Sequence, residues 1–269
     1  MIIQSILDLP FQTIISDVSG VMFDEVTCFP NVNHTFAELQ KQNKQLILLS
    51  NAPRKEDFLR EKLKKAGFAF YNDVPVLTSG MFFLEEIKKK FQKQVKYCTV
   101  GEGASDLLDS NFFLKTSIEE AEICIIYYMG YEESYAKEIK KIVEREIPVY
   151  CVNPDVKIET PEGVKFCAGK TAKMIEAEGG SVMYYGKPHV EIFSFLQEKY
   201  NFKKEETCII GDSMVTDIIG AKNFGIQSVL VMGGIYKNFL NSDSSINKKN
   251  LDLLFSKFNF LPSFVINYI

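Results

Sequence analysis

The chain has 269 residues, a length that allows one large domain or two domains of modest size. Hydrophobic residues make up 46% of the chain and charged residues 25%, a globular composition that excludes disorder over most of the length. A formal net charge of −4 argues against the broad basic surface that non-specific nucleic-acid binding requires, so we expect no nucleic-acid partner.

Membrane and export signals are weak in this sequence. No apolar run reaches the roughly 18 residues that a membrane-spanning helix needs. The amino-terminal stretch MIIQSILDLPF contains no Lys or Arg, unlike the start of a secretory signal peptide. The six cysteines have no CxxC spacing, which is typical of reduced, buried thiols. We therefore expect a cytoplasmic protein that makes no membrane contact.

Short apolar runs alternate with amphipathic segments along the chain. The predicted strands, in chain order, are Thr13–Asp17, Gln45–Ser50, Lys96–Gly101, Ile123–Met129, Val149–Asn153, Ser181–Gly186, Thr207–Asp212 and Ser228–Met232. Apolar residues at helical spacing predict helices at Lys55–Phe68, Glu133–Ile147 and Pro188–Asn201. Strands that alternate with helices indicate parallel sheets covered by helices, so we predict an α/β fold.

Polar and charged side chains lie at the carboxyl ends of several predicted strands. Asp17 ends the first strand, Ser50 ends the second and is followed by Asn51, Lys187 follows the sixth, and Asp212 ends the seventh, with Asp217 five residues further on. Each alone is more typical of a turn, a helix cap or a solvated side chain. Because ligands of open parallel sheets bind beyond the carboxyl ends of the strands, we expect these groups to converge. Together they suit a hard divalent cation and a phosphoryl group.

Four motifs follow one another along the chain. They are DxxGV from Asp17, LLSN ending at Asn51, GKP at Gly186–Pro188 and GDxxxTDIxGA from Gly211. This order resembles the haloacid dehalogenase-like superfamily and, within it, the class IIA or NagD-like phosphatases. The resemblance covers nearly the whole chain.

The resemblance implies a Rossmann-like core with a parallel sheet, built from residues 1–81 and 181–269, and an inserted α/β cap at residues 82–180. It implies an Mg²⁺-dependent phosphatase that acts through an aspartyl-phosphate intermediate. A cap shields the site from bulky substrates and from water, so the expected substrate is a small phosphorylated metabolite. Relatives often associate through their caps, which makes a homodimer through the cap the expected assembly.

The resemblance also implies roles for the matching residues. Asp17 would be the nucleophile. Ser50 would hold the phosphoryl oxygens, and Lys187 would neutralise charge on the nucleophile and the phosphate. Asn51 would belong to the same substrate-binding set.

The implied metal site consists of oxygen ligands. The Mg²⁺ ligands would be the carboxylates of Asp17, Asp212 and Asp217, together with the backbone carbonyl of Ser19. Such hard oxygen donors are what Mg²⁺ prefers.

Ser19 departs from the DxDG pattern of the family, in which a second Asp occupies this position. That Asp protonates the leaving oxygen and later activates water. Serine is a poor general acid or base, and such catalysis contributes about 10²–10⁴-fold. Asp24 and Glu25, nearby in sequence, are candidate substitutes. His189 either faces the substrate or simply lies in the first helical turn after GKP.

Three functional alternatives follow from Ser19. The enzyme is a slow phosphatase, or it forms a long-lived aspartyl-phosphate that allows transfer to another acceptor, or it is a non-hydrolytic phospho-ligand-binding or regulatory protein. We take hydrolysis as the leading hypothesis, with the binding protein as the alternative and phosphotransfer as the third.

Overall fold

The computed structural model describes residues 1–101, 106–127, 135–160 and 163–269. The chain divides into two compact units. Unit 1 comprises Met1–Ser50, Asp57–Leu77 and Phe193–Ile269, and unit 2 comprises Asn51–Glu56 and Thr78–Ile192. Unit 2 is therefore inserted, in chain order, between segments of unit 1. This division groups residues 51–56, 78–81 and 181–192 with the inserted unit, beyond the expected cap at residues 82–180.

The described strands share short lengths of three to six residues. They are β1 (Thr13–Ser16), β2 (Gln45–Ser50), β3 (Val76–Thr78), β4 (Val95–Cys98), β5 (Phe113–Lys115), β6 (Ile123–Ile126), β7 (Val149–Cys151), β8 (Lys157–Thr160), β9 (Gly163–Phe166), β10 (Val182–Tyr184), β11 (Thr207–Gly211), β12 (Gln227–Val231) and β13 (Phe264–Ile266). The described α-helices are α1 (Val32–Lys41), α2 (Glu56–Lys65), α3 (Ser79–Lys90), α4 (Ala136–Glu144), α5 (Ala168–Ala177), α6 (Val190–Tyr200), α7 (Ile219–Phe224) and α8 (Lys248–Phe255).

Unit 1 is organised around a six-stranded sheet in the order β13-β12-β11-β1-β2-β3. The pairs from β13 to β2 are parallel. Every residue of β1 and β11 is buried, as expected for central strands covered on both faces. The chain order runs outward from β1 on one side and from β11 on the other. The sheet therefore has a topological switch point between β1 and β11, where open α/β sheets bind ligands.

Unit 2 contains a five-stranded sheet in the order β10-β7-β6-β4-β5, with parallel pairing between all neighbours. The strands β8 and β9 form a separate antiparallel pair. The interior strand β6 is buried along its whole length, which explains its uninterrupted apolar sequence ICII.

The predicted α/β class is confirmed by these two sheets. The eight predicted strands correspond to β1, β2, β4, β6, β7, β10, β11 and β12, and the predicted helices to α2, α4 and α6. The last residues of the predicted strand Ile123–Met129 and the first residues of the predicted helix Glu133–Ile147 lie outside the described residues. Among the helices that the structure describes, none combines the length and apolar character needed to cross a membrane.

Candidate active site

Three aspartate carboxylates converge at the carboxyl edge of the unit 1 sheet. Strands β1 and β11 lie side by side with Ser16 opposite Ile210, so Asp17 and Asp212 both leave the sheet at its switch point. The backbone N–H of Asp17 donates to the Ile210 carbonyl at 2.8 Å. Carboxylate oxygens of Asp17, Asp212 and Asp217 all lie within 4.8 Å of one another. The convergence expected from the strand ends is therefore present for these three carboxylates.

The Asp212 carboxylate is enclosed by two backbone segments. Its Oδ2 atom accepts a hydrogen bond from the Ile235 N–H at 3.0 Å. Gly20 has a left-handed φ of +75°, and a Cβ at either Gly20 or Gly234 would collide with Oδ2. Asp212 thus fixes the peptide that follows Ser19, and this contact depends on the absence of side chains at both glycines.

Asp217 is carried by a π-helical turn, Met214–Ile218, which follows β11. Its side chain is fully buried, and its Oδ2 atom accepts from the Ser213 N–H at 3.2 Å. A Cβ at Gly211 would collide with the Asp217 carboxyl group, so the strand end and this turn are closely packed. Such π-helical turns recur at functional sites because they redirect single side chains.

The chemistry of this donor set fits Mg²⁺. Asp212 and Asp217 are almost completely buried, and grouped buried carboxylates are unfavourable unless a cation or protons compensate their charge. Burial and then the charges of Asp212 and Asp217 raise the pKa of the Tyr236 phenol, whereas a hydrogen bond with the Met214 backbone lowers it. Magnesium takes oxygen ligands at about 2.0–2.1 Å, so small movements would bring these carboxylates around one ion.

Ser19 lies on a turn immediately after β1 and Asp17, in which Val18, Val21, Met22 and Phe23 are buried. The turn is held by backbone hydrogen bonds from Gly20 N–H to the Phe23 carbonyl at 3.0 Å and from Met22 N–H to the Val18 carbonyl at 2.9 Å. The Ser19 side chain is exposed. Ser19 stands two residues after Asp17, where the resemblance to the family leads us to expect a second Asp.

The two candidate substitutes for that Asp are engaged elsewhere. Asp24 Oδ1 accepts from the N–H groups of Thr27 at 2.8 Å and Val26 at 3.1 Å. The Thr27 backbone bond is the main cause that lowers the Asp24 pKa, so this carboxyl is ionised at neutral pH and is a poor acid. Glu25 accepts a hydrogen bond from Lys62 Nζ at 2.6 Å. Neither geometry supports a substitute role.

Ser50 is the last residue of β2 and is buried. Strand β2 pairs with β1 so that Leu48 lies opposite Ser16. Ser50 and Asp17 therefore leave neighbouring strands at the same edge of the unit 1 sheet. This is the placement that the strand-end argument predicts for a phosphoryl-binding hydroxyl.

Asn51 and Lys187 are joined within unit 2. The Asn51 Nδ2 group donates to the Lys187 carbonyl at 2.9 Å, and the Lys187 N–H donates to Asn51 Oδ1 at 2.8 Å. A second donation from Nδ2 reaches Asp155 Oδ1 at 2.9 Å. Asn51 is predicted to bind substrate, and the structure gives its amide a positioning contact with the GKP segment. The role of Asp155 was not predicted, although the residue lies in the sequence VNPD.

His189 lies one residue before α6 and stacks on Tyr184, with ring centroids 4.7 Å apart and an interplanar angle of 5°. Burial is the main cause that lowers its pKa, so the ring is neutral at pH 7. The backbone N–H of His189 donates to the Gly186 carbonyl at 3.0 Å. These contacts give His189 a packing role at the end of the GKP segment.

Comparisons with known proteins agree with this architecture. A family model described as haloacid dehalogenase-like hydrolase matches residues 14–112, and one described as HAD-hydrolase-like matches residues 184–251. The dihydroxyacetone phosphatase of Corynebacterium glutamicum (strain R) is 24% identical over 263 residues, which cover 95% of this chain and 88% of that protein. The ribonucleotide monophosphatase NagD of Escherichia coli (strain K12) is 25% identical over 236 residues, or 84% of this chain and 90% of that protein.

Solved structures show the same fold. The crystal structure of a haloacid dehalogenase-like family hydrolase from Brucella suis 1330 matches with a TM-score of 0.80 at 21% identity, over 100% of both chains. Two models of one superfamily match separate parts of the chain, and the phosphatases above align with most of it. The chain therefore belongs to the haloacid dehalogenase-like hydrolases, in the NagD-like class IIA, and is an enzyme of the hydrolase and phosphatase type.

Proposed function

We propose that the chain is an Mg²⁺-dependent phosphatase that hydrolyses a small phosphorylated metabolite through an aspartyl-phosphate on Asp17. The observation that carries this proposal is the cluster of Asp17, Asp212 and Asp217 carboxylates at the switch point of the unit 1 sheet. Two relatives, a dihydroxyacetone phosphatase and a ribonucleotide monophosphatase, support a small phosphorylated substrate.

The proposed reaction has two displacements at phosphorus. A carboxylate oxygen of Asp17 attacks phosphorus, the ester P–O bond breaks, and the leaving alkoxide takes a proton. Water then attacks the aspartyl-phosphate, which releases inorganic phosphate and restores the carboxylate. Ser50 and Lys187 would hold the phosphoryl oxygens and offset their charge, which is the main form of catalysis in phosphoryl transfer.

The proposed metal ligands are Asp17, Asp212, Asp217 and the backbone carbonyl of Ser19. Bound Mg²⁺ would screen the negative charge shared by nucleophile and phosphate. A Cβ at position 20 would collide with Asp212, so the glycine there lets the peptide after Ser19 lie close to this carboxylate. That contact supports the carbonyl of Ser19 as a ligand.

The same proposal includes the domains, the assembly and the cellular location of the protein. Residues 1–81 and 181–269 form the catalytic core, and residues 82–180 form a cap through which two copies associate. We expect a cytoplasmic enzyme without nucleic-acid or membrane partners. All six cysteines are free thiols, five of them buried, which supports a reducing compartment.

Ser19 sets the expected limit on turnover. A hydroxyl in place of the acid gives little help to a leaving group that must be protonated. Asp24 is ionised and committed to its own turn, so it supplies no proton either. Hydrolysis should therefore be slow for alkyl esters, and a persistent aspartyl-phosphate would leave time for transfer to another acceptor.

A second candidate function is phospho-ligand binding without turnover. The exposed Ser19 hydroxyl and the engagement of Asp24 and Glu25 in other contacts favour it. In this alternative the carboxylate cluster would serve binding alone.

Hydrolysis of 4-nitrophenyl phosphate with Mg²⁺ separates the two candidates. This ester has a leaving group that needs little protonation. We expect Asp17→Asn to lower the rate at least about 10³-fold, whereas Asp252→Asn, an exposed carboxylate in α8, leaves it unchanged. Equal rates for the wild type and Asp17→Asn would refute the nucleophile. If the wild type binds Mg²⁺ and phosphate without any turnover, the binding function replaces the phosphatase.

A further inference from the structure

The unit 2 sheet has a switch point of its own. In the order β10-β7-β6-β4-β5, the chain passes from β4 outward to β5 and then returns to β6 on the other side of β4. The order therefore reverses between β4 and β6. Because all neighbouring pairs are parallel, the carboxyl ends of these strands lie along one edge, which includes the end of β10 that leads to Lys187.

A short segment of unit 2, residues 51–56, contacts both the GKP segment and Asp106. At its start, Asn51 is bonded to the backbone of Lys187, which follows β10. Three residues later, the Arg54 guanidinium forms an ion pair with Asp106, which follows β4. Three residues of extended chain reach at most about 11 Å, which is the scale of a small phosphorylated metabolite.

The backbone of Arg54 is held in place by the start of α3. The Thr78 hydroxyl donates to the Arg54 carbonyl at 2.5 Å. Gly80 packs so closely that a Cβ there would lie 2.6 Å from Arg54 N. The guanidinium therefore projects from a fixed position, which is a requirement for a residue that discriminates between ligands.

The charged pair is accessible. The Arg54 side chain is 22% exposed and the Asp106 side chain 37% exposed. The phenols of Tyr97 and Tyr127, the latter directly after β6, share a hydrogen bond nearby and are buried. Burial and then Tyr97 raise the Tyr127 pKa to about 12; Asp106 adds to this rise and Arg54 opposes it, so the phenol stays neutral beside the pair.

An accessible arginine–aspartate pair has a distinct preference among ligands. The guanidinium only donates hydrogen bonds and the carboxylate only accepts them, so side by side they match a hydroxyl group, which does both. A ligand carboxylate would meet the negative charge of Asp106 and be disfavoured. Because Asp106 already balances the charge of Arg54, the pair suits neutral hydroxyl groups better than acidic ones.

We propose that Arg54 and Asp106 form a specificity subsite for hydroxyl groups of the substrate, so that phosphate esters of small polyols or sugars are preferred over esters that carry a carboxylate. This inference rests on the proposed phosphatase function. It names the chemical class of the substrate and two specificity residues that the sequence motifs do not include.

The test compares glycerol 3-phosphate with phosphoglycolate, and 4-nitrophenyl phosphate serves as the reference ester. We expect kcat/KM to favour glycerol 3-phosphate in the wild type. Asp106→Asn should reduce this preference at least about tenfold, because it removes the charge that opposes the carboxylate. Arg54→Gln should raise KM for glycerol 3-phosphate relative to the reference ester. Lys141→Gln breaks an exposed ion pair with Glu119 in the same unit and should leave the preference unchanged.

Two different failures are distinguishable. If the reference ester is hydrolysed but Asp106→Asn and Arg54→Gln keep the wild-type preference, the subsite is refuted and the phosphatase stands. If the reference ester shows no Asp17-dependent turnover, the phosphatase is refuted. Calorimetric binding of glycerol 3-phosphate and phosphoglycolate to the same variants then decides the subsite, since an unchanged ratio of affinities would overturn it.

Discussion

Gly20 and Gly67 share a left-handed backbone conformation but have different surroundings. Gly20 has φ +75° and lies against the Asp212 carboxylate, whereas Gly67 has φ +88° with open space where a Cβ would lie. We expect Gly67→Ala to lower the free energy of unfolding by about 1–2 kcal/mol through backbone strain alone. Gly20→Ala should cost about 2–5 kcal/mol because overpacking adds to the strain, and it should also weaken Mg²⁺ binding.

Chemical denaturation and Mg²⁺ titration of the two variants measure this difference. Gly67→Ala controls for backbone strain. If Gly20→Ala loses more Mg²⁺ affinity than Gly67→Ala, the additional loss reports on the contact between Gly20 and Asp212. Equal Mg²⁺ affinities in Gly20→Ala and Gly67→Ala would show that the Gly20 contact does not shape the metal site.

At the residue scale, the sequence predicts some contacts and misses others. Asp17 and Asp212 follow strands, so the rule about carboxyl ends predicts that they approach. The bonds of Asn51 with Asp155 and with Lys187 join residues 104 and 136 positions apart. Such side-chain contacts depend on how loops pack, which strand and helix periodicity does not encode.

Thr78 links an element boundary to the proposed subsite. Its hydroxyl accepts from the Met81 N–H at 3.1 Å as the N-cap of α3, and it donates to the Arg54 carbonyl. Thr78→Val removes both bonds and keeps the shape. We expect it to destabilise the first turn of α3 by about 1–3 kcal/mol, which would speed amide hydrogen exchange there about 5- to 150-fold.

The matched control is the cap of another helix. Asn247 caps α8 through a bond from the Asn250 N–H at 3.2 Å. Asn247→Ala should speed exchange in the first turn of α8 and leave α3 unchanged. Unaltered exchange at α3 in Thr78→Val would contradict the capping role assigned here.

Sequence analysis gives no bounds for α1, α3, α5, α7 and α8, and the strands that it misses are short. Strands β3, β5 and β13 have three residues each, too few for a periodic pattern to be recognised. Sequence analysis predicts no element in the apolar carboxyl-terminal residues 258–269. In the structure, β13 pairs with β12, and the Phe264 ring contacts Phe11 at a centroid distance of 6.1 Å. The position of β13 thus depends on its pairing with β12, which a pattern within three residues does not encode.

At the scale of the whole molecule, alternating strands and helices predicted the α/β class but not the division into two sheets. Each sheet is parallel between the neighbours reported above, so one alternating pattern describes both. The family motifs supplied the expectation of an inserted unit, which composition alone does not show. The structure adds the bounds of unit 2, Asn51–Glu56 and Thr78–Ile192.

The cluster of Asp17, Asp212 and Asp217 carboxylates lies beside a first motif in which, by our proposal, Ser19 takes the place of the acid. Such a molecule should cleave esters readily only when the leaving group needs no proton. Ser19→Asp should restore the proton donor and raise alkyl phosphate hydrolysis at least about tenfold, toward the 10²–10⁴-fold that general acids contribute.

The most direct measurement is kcat/KM against leaving-group pKa, from aryl to alkyl phosphates with Mg²⁺, in the wild type and Ser19→Asp, with Asp17→Asn as the blank. We predict a steep decline with rising pKa in the wild type and a shallower one in Ser19→Asp. A wild-type profile as shallow as that of Ser19→Asp, with fast alkyl ester hydrolysis, would show that another group supplies the proton and would contradict the account.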